Sequence, residues 1–112
     1  MGTLTRGDVV LFPFPYTDLS DRKLRPCLVL SEEMGDDIML CQITSQQLRK
    51  DEHSIELKQA DTSKGTLTID SYIRANMIFT ASIKQIRRKI CRVRDDKYEQ
   101  VTDAITRIIA ET

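Results

Sequence analysis

The sequence predicts a mainly β fold closed by one C-terminal helix, arranged as a small, strongly bent antiparallel sheet or partial barrel. Three observations carry this expectation. Residues 8–93 break into short β-branched or alternating runs separated by turn residues. The last segment has apolar residues at helical spacing and no Gly or Pro. The chain has 112 residues, 40% of them hydrophobic and 30% charged, so residues 1–112 are expected to form one domain. A chain of that length buries a core without a disulfide or metal.

The elements follow in order. Val9-Val10-Leu11-Phe12 is the first predicted strand, stopped by Pro13 and Pro15. Residues 16–24 are polar and are expected as an open loop. A second strand over residues 25–31 holds the continuous apolar run Cys27-Leu28-Val29-Leu30, which fits a central position. Gly35 marks a hairpin turn, and the chain returns as a third strand over residues 38–45. Ser54-Ile55-Glu56-Leu57 alternates and predicts a half-buried fourth strand. Residues 59–65 read as a second polar loop. Residues 66–70 read as another alternating strand, with Leu67 and Ile69 on one side, and an extended stretch follows over residues 72–81. Ile83, Ile86 and Ile90 predict one helical turn before a short strand at residues 91–93. In the final helix Asp96 suits the N-cap and Glu99 the N3 position of a capping box. Tyr98, Val101, Ile105, Ile108 and Ile109 form its apolar stripe.

Composition excludes several classes of function. No apolar run is long enough to span a bilayer, and the N-terminus carries no apolar leader segment, so the expected location is the cytosol with no membrane partner. Arg6 stands where a myristoylation signal needs Ser or Thr. Cys27, Cys41 and Cys91 are widely spaced and lie in apolar stretches, which predicts buried free thiols. No cysteine pair has zinc-type spacing, and His53 is the single histidine, so no metal and no cofactor are expected. Lys plus Arg equals Asp plus Glu at 17 each, which argues against a DNA binder held by bulk charge. The charge is unevenly placed, however. Lys84, Arg87, Arg88, Lys89, Arg92 and Arg94 crowd one segment with no acid among them. Two readings are open for this cluster: a solvated face, or a landing surface for nucleic acid or an acidic partner.

Three ordered motifs carry a family resemblance. They are Arg6-Gly7-Asp8-Val9-Val10-Leu11, then Arg25-Pro26-Cys27-Leu28-Val29-Leu30-Ser31 after a polar loop, then Gln42-Ile43-Thr44-Ser45. Gly65-Thr66-Leu67, Ser71-Tyr72-Ile73-Arg74 and Ile78-Phe79-Thr80 extend the match over nearly the whole chain. The set resembles the MazF/PemK toxins of toxin–antitoxin systems. The resemblance implies an SH3-like barrel, a homodimer, and sequence-specific, metal-independent cleavage of single-stranded RNA. In that family the 2′-hydroxyl attacks the adjacent phosphate and leaves a 2′,3′-cyclic phosphate and a 5′-hydroxyl. A cognate antitoxin would block the RNA groove with a disordered acidic segment, and operator DNA would be contacted only by the toxin–antitoxin complex.

The chemistry needs a group to take the 2′-proton, a group to offset charge on the phosphoryl oxygens, and a group to protonate the leaving oxygen. Arg25 suits the second, because its guanidinium stays charged and presents a planar fork of donors. Thr44, and with it Ser45, matches the family's hydroxyl pair and can donate to a phosphate oxygen or orient the 2′-hydroxyl. The proton acceptor stays open. Asp70 lies where some relatives carry an acid. Others use an Arg two residues earlier, where this chain has Thr68, or a His in the first loop, which this chain lacks. Phe14 and Tyr16 can stack a base at the mouth of the first loop, or Phe14 can belong to the core. Arg22, Lys23 and Arg74 complete the residues expected at the RNA. The competing expectation is a non-enzymatic binder on the same fold, such as a CcdB-like gyrase inhibitor or a catalytically dead relative. Arg25 with Thr44 discriminates between them, since only a ribonuclease needs the pair.

Overall fold

The computed structural model describes residues 2–15, 22–45 and 52–110. Seven strands form one antiparallel sheet: β1 Asp8–Pro15, β2 Arg22–Val29, β3 Asp37–Thr44, β4 Ser54–Leu57, β5 Thr62–Gly65, β6 Ser71–Ser82 and β7 Arg88–Val93. The helix α1, Asp95–Ala110, closes the chain. The strand order is β4-β6-β3-β2-β1-β7-β5. The expected bent antiparallel sheet with a C-terminal helix is therefore present.

The sheet curls because three of its ladders slip: β1 against β7 between Val9 and Val10, β3 against β6 between Cys41 and Ile43, and β5 against β7 between Thr62 and Lys64. Such irregularities bend a strand and raise its local twist. One core cluster joins Val9, Leu28, Cys41, Ile43, Leu57, Ile73 and Val93 to Val101 of α1, with Tyr98, Ala104 and Ile105 packed against it. A second cluster gathers Leu4, Val10, Phe12, Cys27, Val29, Ile38 and Leu40. Alternation along β2 and β3 assigns successive residues to opposite clusters, so both faces of the central strands are covered. That accounts for the continuous apolar run in β2.

Several expectations need correction. β1 does not stop at Pro13 but continues through Pro15. β7 pairs with Asp8–Leu11, and the Arg87 amide donates to the Leu11 carbonyl, so among the described residues that edge of β1 has no further strand beyond Leu11. Pro13 and Pro15 share the alternation of Leu11 and face this open edge, where a missing N–H costs no ladder bond. Residues 62–65, read as loop, form β5 on β7, and β2 begins three residues before the expected start. Residues 66–70 are not a strand: Leu67 is buried while Ile69 is 61% exposed. The helical turn after β6 is a short 3-10 turn, Ile83–Gln85, and β7 starts at Arg88.

The helix starts at Asp95, two residues earlier than an Asp96 N-cap would place its first residue. Asp96 lies inside the first turn, where its Oδ1 accepts from Lys97 N at 3.0 Å and Arg94 Nε at 3.2 Å. Tyr98 donates its hydroxyl to the Leu30 carbonyl at 2.9 Å, which ties α1 to the sheet. The predicted stripe is only half used: Val101 is fully buried, whereas Ile109 is 75% exposed.

Candidate active site

The Gly7-Asp8 motif is structural. Gly7 has φ of 93°, and its amide donates to the Val29 carbonyl while its carbonyl accepts from Val93 N. Asp8 is 2% exposed. Its Oδ1 accepts from Arg92 Nη1 at 3.0 Å, and its Oδ2 takes Thr5 N at 3.0 Å and lies 3.1 Å from Lys89 Nζ. Two members of the basic cluster are thus committed to one buried carboxylate. Lys84 approaches Asp36 at 3.9 Å and Arg94 pairs with Asp96, both at the surface. Arg87 and Arg88 are exposed.

Pairing along the sheet gathers the polar residues expected at the site. Cys27 of β2 stands opposite Gln42 of β3. The β2–β3 ladder ends at that pair, with Arg25 two residues beyond it on β2 and Thr44 two residues beyond it on β3. Thr44 in turn pairs with Tyr72 of β6, and Arg74 pairs with Ser54 of β4. By strand alternation Arg25, Thr44, Tyr72 and Arg74 share one face of the sheet. All four side chains are half-buried, and each is engaged by other groups of the chain. A half-buried guanidinium beside a hydroxyl is suited to hold an anionic phosphoryl group, because its charge is less screened there than in open water. In the sequence Tyr72 stands within a family motif with no role assigned to it; the β3–β6 pairing, after its irregularity, brings it beside Thr44.

Ser45 points elsewhere. It lines an open cleft of about 600 Å³ with Arg25, Leu24, Pro26, Ile43, Leu67, Ile69, Arg88 and Lys89. Arg25 is thus the residue at which the Thr44 face and the cleft meet. Asp70 is exposed, one residue before β6, and is not among the cleft residues. Lys23 is exposed opposite Phe14. Phe14 is half-buried, with ring centroids 5.4 Å from Phe12 and 5.2 Å from Phe79 in edge-on contacts, so its ring is packed within an aromatic trio. Tyr16 and the side chain of Arg22 lie outside the described residues.

Cys27, Cys41 and Cys91 are buried free thiols. Burial pushes the Cys41 thiol up to about 12 and Cys91 to about 11, the latter aided by the Asp8 charge, and raises Cys27 further still. They stay protonated at neutral pH and are poor metal ligands in that form. Among the described residues, no group of three His, Cys, Asp or Glu side chains is placed to hold an ion.

The family model for PemK-like, MazF-like toxins of type II toxin–antitoxin systems matches residues 5–109. The chain belongs to this family. No curated protein matches it significantly by sequence. Solved structures share the fold at low identity. A MazE–MazF complex from Deinococcus radiodurans superposes with a TM-score of 0.79 at 16% identity, covering 99% of this chain and 100% of that one. A mycobacterial endoribonuclease in complex with its cognate antitoxin gives 0.71 at 15% identity, covering 95% and 92%. A mycobacterial endoribonuclease gives 0.70 at 17% identity, covering 95% and 90%. At these identities the likeness carries the architecture of a MazF toxin and leaves the chemistry to the residues. Among the described residues of this MazF-like toxin, no helix is long and apolar enough to cross a membrane.

Proposed function

We propose that this MazF-like toxin is a metal-independent endoribonuclease that cuts single-stranded RNA through its own 2′-hydroxyl. The observation that carries the reading is the shared face of Arg25 and Thr44 on neighbouring strands, half-buried and next to an open cleft. Arg25 offsets charge on the phosphoryl oxygens as the 2′-oxygen attacks, and Thr44 donates to one of them or orients the 2′-hydroxyl. The bond from phosphorus to the 5′-oxygen then breaks, and the leaving oxygen takes its proton from solvent water. The products are a 2′,3′-cyclic phosphate and a 5′-hydroxyl. Asp70 is the proposed proton acceptor, reached from the segment leading into β6.

The test is cleavage of a mixed-sequence RNA in the presence of EDTA, with the new ends labelled by a kinase without prior phosphatase. Direct labelling reports 5′-hydroxyl ends. Arg25→Ala is expected to lower the rate on the order of a hundredfold or more, with circular dichroism unchanged, and Arg25→Lys to recover little. Cleavage by Arg25→Ala at the wild-type rate, or activity lost on chelation and restored by a divalent ion, overturns the reading. An intact RNA in every arm supports the non-enzymatic binder instead.

The complexes of related proteins with their antitoxins motivate a second part of the proposal: an acidic antitoxin segment neutralises this protein, which acts in the cytoplasm as a homodimer. Light scattering that gives the monomer mass throughout the micromolar range removes the dimer. Simultaneous, independent binding of RNA and of the product of a neighbouring gene removes the groove-blocking role.

A further inference from the structure

We propose that a second cleft, at the joint of β5, β7 and the start of β1, binds a phosphate dianion between Lys64, Lys89 and Arg92. The cleft is about 490 Å³ and is lined by these three cations together with Thr5, Asp8 and Gly65 among others. It lies on the other face of β7 from the cleft beside Arg25. Asp8 pairs with Arg92 and Val10 with Lys89 across the β1–β7 ladder, and Lys64 pairs with Arg92 from β5. Paired residues share a face, so these side chains lie together. Arg88 pairs instead with Leu11, and both line the first cleft. The site does not rest on the nuclease reading.

Charge and geometry select the ligand. Asp8 is the one acid in the lining, so three cations and one carboxylate leave a net charge of +2. The Thr5 hydroxyl turns to Glu32, which Arg6 already neutralises at 2.7 Å. Lys64 is exposed and makes no ion pair among the described residues. It stands directly opposite Arg92 in the β5–β7 ladder. Like charges in that position destabilise a sheet, and an anion between them reverses the cost. Arg92 is held in place for such a ligand. Its Nη1 donates to Asp8 at 3.0 Å, and its guanidinium lies over Gly7, 3.6 Å from where a Cβ would stand. Among the described residues its other N–H donors have no acceptor, and the side chain is 30% exposed, so they are open to an oxyanion. A planar donor fork flanked by two ammonium groups suits the several oxygens of a phosphate. A terminal phosphate carries about −1.5 to −2 at neutral pH, which matches the site. A carboxylate or one phosphodiester link carries a single charge and leaves the site half neutralised.

The experiment titrates the full chain with inorganic phosphate at constant ionic strength, following binding by phosphorus NMR and by thermal melting. Saturable binding is expected, with the melting temperature raised by about 6 °C at ten times the dissociation constant. Phosphate also stabilises folded chains by exclusion from their surface, so the decisive quantity is the difference between wild type and variants. Lys64→Gln spares every pair with Asp8 and is expected to weaken binding about tenfold. Arg92→Gln is expected to abolish it, but also strands Asp8, so Lys64→Gln carries the test. Arg107→Gln, exposed on α1 and outside the cleft, controls for net charge and is expected to leave binding unchanged. Adenosine 5′-monophosphate, with adenosine as its control, distinguishes the two sources of the group. Tighter binding of the nucleotide assigns the site to a phosphate monoester on a carrier, and equal binding assigns it to free phosphate. No saturable binding by the wild type, or equal affinity in Lys64→Gln and wild type, overturns the proposal. Displacement of phosphate by an RNA with 5′- and 3′-hydroxyl ends, at equal phosphorus concentration, assigns the cleft to phosphodiester links and overturns it as well.

Discussion

Replacing Asp8 by alanine removes the anchor that joins the first strand to the last. The carboxylate is buried, yet its two cationic partners are partly open to water: the Arg92 and Lys89 side chains are 30% and 37% exposed. Truncating one member of a fully buried ion pair costs about 3–5 kcal/mol, because the other charge stays stranded. Here the cations regain water, so each lost pair costs nearer 1 kcal/mol. The Thr5 amide loses a charge-assisted bond for about 1.5 kcal/mol more. The expected loss is about 3.5 kcal/mol. With unfolding entropy near 2.1 cal/mol/K per residue, a 112-residue chain then melts about 15 °C lower. Asp8→Asn retains one oxygen for the Thr5 amide and is expected to lose about half as much. Urea titration at constant pH, with the slope of the transition monitored, measures both. A loss below 1 kcal/mol for Asp8→Ala would show that the two cations do not depend on this carboxylate and would refute the reasoning. High salt is expected to change the difference little, since the anion is shielded from counterions.

Two further predictions follow from packing and from buried thiols. Gly65→Ala is expected to destabilise by more than 2 kcal/mol, because an added Cβ overlaps the Ile90 carbonyl and the Cys91 backbone and Gly65 has φ of 79°; a calorimetric melting temperature within a few degrees of wild type refutes it. The raised thiols predict that stability falls with pH on the alkaline side. Unfolded cysteines lose their protons above about 8.5 while Cys91 and Cys41 keep theirs to about 11 and about 12, so the unfolded chain binds fewer protons and is favoured. The loss is expected at about 1.4 kcal/mol per pH unit per thiol between those limits, read as the change in urea midpoint, and a Cys41→Ala variant should show a shallower fall.

The sequence by itself determined what local chemistry controls. Alternation at Ser54–Leu57 placed the fourth strand at its observed bounds, Gly35 placed the hairpin, and the stripe through Tyr98 and Val101 placed the helix. The ordered motifs at Asp8, Arg25 and Thr44 were enough for the family, because a motif is a string and needs no register. Tertiary structure decided everything that depends on which strand lies beside which. Pro13 and Pro15 read as breakers, yet they continue a strand because, among the described residues, the edge they face pairs with no strand beyond Leu11. Residues 62–65 look like loop and become a strand only because β7 offers a partner. Asp8 and Arg92 are 84 positions apart, so no periodicity could reveal that part of the basic cluster is consumed in the core. The division between Thr44 on the Arg25 face and Ser45 in the cleft is likewise invisible in a Thr-Ser pair. Adjacent strand residues point to opposite sides of the sheet, and only pairing with the neighbours says what each side holds.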